Sequence, residues 1–244
     1  MIIGTPEALE LIDRKSILDF FFRLKKDNGS FAVNIGGECD VRGTYTVIST
    51  AALLGLLTPE LTDGVAEWVA SCQTYEGGIA GEPGDEAHGG YSFCGLATLI
   101  ILEKQNSIAL EKLLDWAVKR QMTVEGGFQG RTNKLVDGCY SFWVGAIPIL
   151  IQSTLKPEDK TKNGCFDGDA AAKYILGACQ CTINGGFRDK PGIMCDLNHT
   201  CYCLSGLCAS ARNMDNKALF GNLGIAEIDF VHNINKGKIS PFWE

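Results

Sequence analysis

Four glycines at a regular spacing constrain this chain more than any other feature of its sequence. Gly29, Gly77, Gly126 and Gly185 each follow a stretch of helical periodicity and open a polar loop. A period of about fifty residues is typical of repeat architectures. Because a repeat returns the same backbone position to the same place, residues far apart in the sequence can gather at one site.

Counting onward from each glycine shows which residues share a position. The eleventh residue after each glycine is, in order, Asp40, His88, Asp137 and Asp196. The fourteenth is Gly43, Tyr91, Tyr140 and His199. This register predicts that charged and metal-binding side chains recur at one structural position, where a second helix begins.

Each repeat is predicted to fold as helix, turn, glycine loop and helix. The repeats fall near residues 12–57, 61–102, 111–152 and 168–211, and we expect 212–244 to form a closing helix and tail of the same single domain, 1–244. The first helix of each repeat is amphipathic, whereas the second is almost wholly apolar and rich in small residues. The first should therefore face solvent and the second should be enclosed.

This pattern predicts an all-α fold, an α/α barrel (toroid) of repeated helix pairs whose inner helices begin at a common mouth. A linear helical solenoid is the structural alternative. Four units are few for closing a ring, so we expect a barrel that is incomplete at its N-terminus or closes against something else.

Composition excludes several classes of partner. The chain has 244 residues, of which 45% are hydrophobic, and a formal net charge of -7 with a pI near 5.1. An acidic chain is a poor match for nucleic acid or for an anionic membrane surface. No segment approaches the roughly 18 apolar residues of a membrane span, and the first residues lack the basic-then-apolar order of a signal peptide. We therefore expect a cytoplasmic protein.

Eleven cysteines would suggest disulfides in a secreted chain. Their odd number and their apolar surroundings instead indicate free thiols in a reducing compartment, with Cys94, Cys201 and Cys208 as small core residues. An alternative is a structural zinc site made of Cys179, Cys181, Cys201 and Cys203. Both pairs have C-x-C rather than C-x2-C spacing, which favours ordinary packing.

A candidate metal site comes from the third and fourth repeats. Asp137, Cys139 and His199 offer one oxygen, one sulfur and one nitrogen, and the register places all three at neighbouring inner-helix starts. Three protein ligands with a fourth position open are typical of catalytic zinc. Taken singly, the aspartate could be a helix cap, the cysteine a small buried residue and the histidine a hydrogen-bonded core residue.

A second set of residues is cationic, and a third is apolar. His88, Arg131, Lys134 and Lys190, with the Tyr140 hydroxyl, would suit a phosphate or diphosphate beside helix N-termini. Asp189 could hold magnesium against a diphosphate or could cap a turn. One helical turn deeper, Cys94, Trp143 and Tyr202 share a register position, and an apolar funnel there would suit an isoprenoid chain.

These motifs resemble the β subunits of protein prenyltransferases, of the farnesyltransferase type. The most specific stretch is EGGFQGRTNKLVDGCYSFW (125–143), and the others are residues 36–45, 86–97, 185–192 and 199–207. The resemblance covers roughly residues 17–210. It implies that the early repeats of the family lie outside this sequence.

The resemblance also implies an activity and roles for individual residues. The activity is zinc-dependent transfer of farnesyl, from farnesyl diphosphate accompanied by Mg²⁺, to the cysteine of a C-terminal CaaX motif in proteins such as small GTPases. The active form would be a heterodimer with an α subunit. By resemblance, the zinc ligands are Asp137, Cys139 and His199, and the residue associated with magnesium is Asp189. The residues that bind the diphosphate are His88, Arg131, Lys134 and Tyr140. The isoprenoid pocket is formed by Arg42, Tyr45, Gly90, Tyr91, Cys94 and Trp143, and the peptide contacts are Arg42 and Asn198.

Three alternatives stay open at this point. The first is the β subunit of protein geranylgeranyltransferase type I, against which Asp189 and its flanks favour the farnesyl type. The second is a related terpene cyclase, which needs an acidic proton-donor motif that residues 167–170 match poorly. The third is a truncated, non-catalytic barrel, which the retention of every matched zinc and diphosphate position argues against.

Overall fold

The computed structural model describes residues 5–155, 165–214 and 226–238. Much of the predicted closing segment 212–244 lies outside these ranges. The regular secondary structure of the described chain is almost entirely helical, and long loops connect the helices. Its helices are α1 (Pro6–Glu10), α2 (Arg14–Leu24), α3 (Val41–Leu54), α4 (Pro59–Thr62), α5 (Val65–Ser71), α6 (Gly89–Ile101), α7 (Leu110–Val118), α8 (Tyr140–Trp143), α9 (Ala146–Thr154), α10 (Gly168–Tyr174) and α11 (Leu197–Arg212), with 3-10 turns at Gln105–Ser107 and Lys236–Lys238 and a π-helical turn at Ile175–Cys179.

The helices form two layers, as the sequence predicts. The inner helices α3, α6, α8 with α9, and α11 pack side by side in that order, and the outer helices α2, α5, α7 and α10 each pack on the inner helix of their own repeat. The largest fully buried side chains include Phe31, Phe93, Phe128 and Phe142, and the rings of Phe93 on α6 and Phe142 on α8 lie 4.9 Å apart between their centres. The prediction of an α/α toroid is confirmed.

The four register glycines share one backbone conformation. Their φ angles are +87° at Gly29, +104° at Gly77, +79° at Gly126 and +73° at Gly185, a region that residues with a side chain rarely adopt. An isolated β-bridge spans each glycine, joining residues 25 and 31, 73 and 79, 121 and 128, and 180 and 187, and closes the turn. The glycine requirement of this turn explains why the repeat is visible in the sequence.

The eleventh residue after each glycine caps or precedes an inner helix. The side chains of Asp40, His88 and Asp196 accept backbone N–H groups from the first turns of α3, α6 and α11. Asp137 accepts the N–H of Cys139 at 2.8 Å. The simple cap interpretation therefore holds, and it is compatible with a second role because a carboxylate can accept several bonds.

A polar side chain joins each repeat to the next. Gln73 bonds both the N–H and the C=O of Ala109, the residue that precedes α7. Gln121 does the same to Asp167, which precedes α10. Lys25 takes this place in the first repeat and donates to three carbonyls at residues 60, 61 and 63. The two glutamines satisfy an N–H that a helix start leaves unpaired, and the Lys25 ammonium satisfies carbonyls at the end of α4.

The predicted inner helix of the third repeat is broken. One helix was expected over 140–152, but α8 and α9 are separated at Val144 and Gly145. Pro148 accounts for the break, because a proline has no N–H to donate to the carbonyl four residues earlier and its ring crowds that carbonyl. The carbonyl in question belongs to Val144.

The closing segment predicted as a helix and tail over 212–244 includes a hairpin. Within 226–238 the chain forms a hairpin of two short antiparallel strands, β1 (Ile228–Asp229) and β2 (Ile234–Asn235). Tyr45 of α3 donates its hydroxyl to Val231 O at 2.7 Å. On the other side, the Arg212 guanidinium of α11 lies 4.9 Å from the centre of the Phe230 ring. The hairpin thus touches both the first and the last inner helix.

The expectation for the cysteines is partly wrong. Cys181 and Cys195 form a disulfide, and the other nine cysteines are free. Cys181 is therefore not a ligand of a four-cysteine zinc site. Cys94 is buried, as predicted for a core residue, but Cys208 is only half-buried and Cys201 is exposed.

Candidate metal centre and anion cavity

Three potential ligands from two repeats meet at one point. Asp137 and Cys139 precede α8, and His199 lies in the first turn of α11. A carboxylate oxygen, a thiol sulfur and an imidazole nitrogen of these residues all lie within 4.8 Å of one another. This O, S, N set fits a divalent transition metal such as zinc.

Asp196 orients the histidine. Its carboxylate accepts the backbone N–H of His199 at 2.8 Å and lies 2.5 Å from Nδ1. This contact keeps the proton on Nδ1, so the Nε2 atom is turned toward Asp137 Oδ1 at 3.1 Å. Burial lowers the pKa of His199, but the two carboxylates outweigh it and raise the pKa above its usual value. A carboxylate behind a histidine is the usual support of a metal ligand.

The thiol of Cys139 lies in an environment that disfavours its charged form. Burial raises its pKa far above the usual range, and the Asp137 carboxylate raises it further. Without a cation the thiol stays protonated. A divalent ion among these donors would reverse this preference, because a metal holds a coordinated thiol as thiolate.

The main chain of Asp189 supports the same site from the fourth repeat. Its carbonyl accepts the N–H of Gly138 at 2.8 Å, between two of the candidate ligands, and also a bond from the Tyr174 hydroxyl at 3.3 Å. Its carboxylate pairs with Lys190, and one of its oxygens is buried with no hydrogen-bond partner.

A cavity of about 700 Å³ opens beside the metal cluster. Cys139 belongs both to the cluster and to the cavity wall. The predicted site residues that line the cavity are Arg42, His88, Gly90, Tyr91, Cys94, Arg131, Tyr140 and Trp143. Besides Asp137 and His199 of the metal cluster, five predicted residues lie outside its lining, namely Tyr45, Lys134, Asp189, Lys190 and Asn198.

These five differ in what they contact, and the bonds of Asp189 are those described above. Lys134 and Asn198 are exposed. Lys190 lines a separate cavity of about 500 Å³ with Val136 and Tyr174. Tyr45 is largely buried, with its ring edge-on to Phe93, and burial raises its pKa well above the usual value.

His88 and Tyr140 form a pair whose proton positions follow from their contacts. Nδ1 of His88 accepts the N–H of Gly90 at 3.1 Å, so its proton is on Nε2, 3.0 Å from the Tyr140 hydroxyl. Burial, assisted by the charge of Arg131, lowers the pKa of His88, which keeps the ring neutral at pH 7. Nε2–H donates to the phenol oxygen, and the phenol proton is left free to donate into the cavity.

The cavity cations are balanced by carboxylates. Arg131 contacts Glu86 at 2.8 Å, and Arg42 contacts Asp40 at 2.5 Å while lying over the Tyr91 ring. The sequence reasoning missed Glu86, which also lines the cavity. Its position two residues before His88 was a signal that could have suggested it.

An aromatic wall continues below the polar rim. The Trp143 ring lies 5.2 Å from Phe93 and 4.5 Å from Tyr202, measured between ring centres. Phe142 stacks on Tyr202 at 5.9 Å. The apolar funnel predicted from the register therefore has a continuous aromatic side.

None of the helices in the described ranges combines the length and the apolar character that crossing a bilayer requires.

Comparison with known proteins gives one family match and several relatives. Residues 1–234 match the model of the prenyltransferase alpha-alpha toroid domain. The chain is 39% identical to the protein farnesyltransferase subunit beta of Arabidopsis thaliana, over 84% of this chain and 54% of that protein. It is 34% identical to the geranylgeranyl transferase type-1 subunit beta of the same organism, over 80% of this chain and 52% of that protein. The chain spans about half the length of these curated relatives.

A solved structure shows the same fold. Candida albicans protein geranylgeranyltransferase-I complexed with GGPP superposes with a TM-score of 0.80 at 23% sequence identity. The match covers 97% of this chain and 69% of that one.

Proposed function

Because the chain belongs to the prenyltransferase alpha-alpha toroid family, we propose that it is the β subunit of a zinc-dependent protein farnesyltransferase. It would transfer farnesyl from farnesyl diphosphate to the cysteine thiol of proteins that end in a CaaX motif. The higher identity to a farnesyltransferase subunit than to a geranylgeranyl transferase subunit of the same plant supports the farnesyl type.

One observation carries this proposal. Cys139 is shared by a three-donor metal cluster and by a cavity lined with cations and aromatic rings. Prenyl transfer to a thiol needs a metal that activates sulfur and a site that holds a diphosphate with an apolar chain. The candidate metal site and the cavity adjoin each other and share Cys139, so both requirements are met side by side.

Asp137, Cys139 and His199 would hold the zinc ion, with one coordination position left for the substrate sulfur. Bound zinc would supply a thiolate nucleophile at neutral pH. Asp196 keeps the histidine in the tautomer that leaves Nε2 free. The cap bond from Cys139 N–H fixes the Asp137 carboxylate in place.

The cavity residues would stabilise the leaving diphosphate. Arg131 supplies a positive charge. The Tyr140 oxygen accepts the Nε2–H of His88, so its own hydroxyl proton is free to bond to the diphosphate. Donors that are already oriented stabilise charge developing in the transition state without reorganising. Lys134 would approach from its exposed loop, and the isoprenoid chain would lie against Tyr91, Cys94 and Trp143.

Magnesium is proposed at Asp189. Its carboxylate has one buried oxygen without a partner, and oxygen ligands suit this ion. In the substrate-free structure, Lys190 balances the carboxylate.

The proposed partners are an α subunit and CaaX-terminated proteins such as small GTPases. Curated relatives are named as subunits, which supports an obligate partner. Arg42 at the cavity and the exposed Asn198 are proposed peptide contacts. Because these relatives are about twice as long, activity of the chain in complex with an α subunit is itself part of the proposal. The cytoplasmic location stays a prediction.

The test uses the chain purified together with an α subunit. We expect about one zinc per chain by elemental analysis and transfer to a CaaX peptide, with farnesyl diphosphate preferred over geranylgeranyl diphosphate in competition. His199→Ala should lose both zinc and transfer, whereas Cys201→Ser, an exposed cysteine on the same helix, should keep both. A complex without zinc would overturn the mechanism. Preference for the longer diphosphate would assign the chain to the geranylgeranyl type.

A further inference from the structure

The Cys181–Cys195 disulfide closes a loop that contacts both halves of the metal centre. The disulfide spans 14 positions, and both sulfur-bearing residues are partly accessible to solvent. The loop starts after the π-helical turn Ile175–Cys179 and ends at the residue before Asp196. None of the roles proposed above involves these two cysteines.

The middle of the loop supports the ligands of the third repeat. Asp189 O accepts the N–H of Gly138, the residue between Asp137 and Cys139, at 2.8 Å. A Cβ atom on Gly138 would lie 2.9 Å from Arg188 O and 2.8 Å from the sulfur of Cys203, so the loop packs directly on this backbone. Movement of the loop would therefore move Asp137 and Cys139.

The end of the loop supports the ligand of the fourth repeat. Asp196 follows Cys195 and holds His199 through its backbone N–H and through Nδ1. Asp196 N–H itself bonds to Phe187 O within the loop. The same closed segment thus sets the distance between ligands that come from two separate repeats.

We propose that Cys181 and Cys195 form a redox site that controls how tightly the metal centre binds zinc. The proposal rests on the zinc site of the proposed function. A dithiol reductant would transfer two electrons and two protons to the disulfide. The S–S bond breaks, the protein gains two thiols, and the dithiol becomes a cyclic disulfide. The reverse reaction needs a disulfide oxidant of the glutathione type.

Reduction should weaken zinc binding. The reduced loop is tethered only by hydrogen bonds, and ordering it again on metal binding costs conformational entropy. Ligand groups held in place before binding lose less freedom when the metal arrives. We expect the dissociation constant for zinc to rise at least tenfold, with little change in overall helix content.

The experiment compares the full chain in its oxidised form, after reduction by a phosphine, and as the double variant Cys181→Ser with Cys195→Ser. Thiol titration of the denatured oxidised chain should give nine thiols, against eleven after reduction. Zinc affinity is measured by competition with a chromophoric chelator. Cys39→Ser, a half-buried cysteine outside the loop, is the matched control and should bind like the oxidised chain.

Hydrogen exchange gives a second measurement that does not depend on metal. The amides of Gly138 and His199, which Asp189 and Asp196 hold, should exchange faster after reduction. Equal zinc affinity and equal exchange in the two redox states would overturn the redox proposal alone. Eleven thiols in the untreated chain would also overturn it. If zinc binds in neither redox state, the metal site on which the proposal rests is overturned instead.

Discussion

Replacing Glu86 by glutamine should strengthen the binding of diphosphate. In the free protein the Glu86 carboxylate contacts Arg131 at 2.8 Å, with 49% and 40% of the two side chains exposed. An anion that binds Arg131 must displace this carboxylate. Because the Glu86–Arg131 ion pair is lost when the ligand binds, its stabilising free energy reduces the affinity for the ligand.

The distance and the exposure set the size of the effect. Unit charges 2.8 Å apart attract by about 1.5 kcal/mol in bulk water. Solvent screening and side-chain entropy reduce measured exposed pairs to roughly 0.2–1 kcal/mol. Since 1.4 kcal/mol corresponds to about tenfold in affinity, Glu86→Gln should tighten binding by about 1.4- to fivefold.

Calorimetric titration with inorganic diphosphate measures this change, and Asp85→Asn is the matched control. Asp85 lines the same cavity, but its carboxylate forms no ion pair within the described part of the chain. Both variants remove one negative charge from the cavity, so only the difference between them reports the contact with Arg131. High salt should suppress the general charge effect in both. Affinity of Glu86→Gln no higher than that of Asp85→Asn would refute competition for Arg131.

Three further changes test other parts of the structure. His88→Asn keeps an acceptor that can cap α6 but loses the hydrogen bond that His88 donates to the Tyr140 phenol. Its diphosphate affinity should fall about tenfold, while its melting temperature stays near that of the wild type. His88→Ala should lower both the affinity and the melting temperature. Tyr45→Phe leaves the Val231 carbonyl without its partner and should cost about 1–3 kcal/mol in urea unfolding; an unchanged midpoint would show that the hairpin does not depend on this bond. Burial alone would raise the pKa of Asp229, but hydrogen bonds from His232 lower it below its usual value. The resulting stability is complete above the ordinary pKa of an aspartate and is lost as the pH falls through the lower folded pKa, so Asp229→Asn should flatten the decline in stability as the pH falls below about 4.

The sequence predicts the repeat and the metal cluster because both depend on local chemistry. A left-handed turn requires glycine, and a helix start favours a side chain that accepts backbone N–H groups. These demands recur at every repeat, so the register alone brings Asp137, Cys139 and His199 together. The aromatic wall follows for the same reason, since residues one helical turn deeper share a face.

Other features depend on contacts that no register describes. The pairing of Cys181 with Cys195 requires knowledge of how the loop folds, and each strand of the closing hairpin has only two residues, too few for an alternating pattern. Tyr45 meets Val231 across 186 positions. The break in the third inner helix was readable, because Pro148 is visible in the sequence and its effect on the preceding turn is general.

The bonds that join one repeat to the next do not depend on the side chains of the next repeat. Gln73 and Gln121 contact the residue before the next outer helix, and Lys25 contacts carbonyls of α4 and Asp63, just before α5. All three bond backbone groups, which every amino acid supplies. A whole unit can therefore be gained or lost without redesigning its neighbours. Gln180 stands at the corresponding position of the fourth unit, exposed, and forms no such side-chain bond within the described residues. The array is thus built to vary in length by whole units.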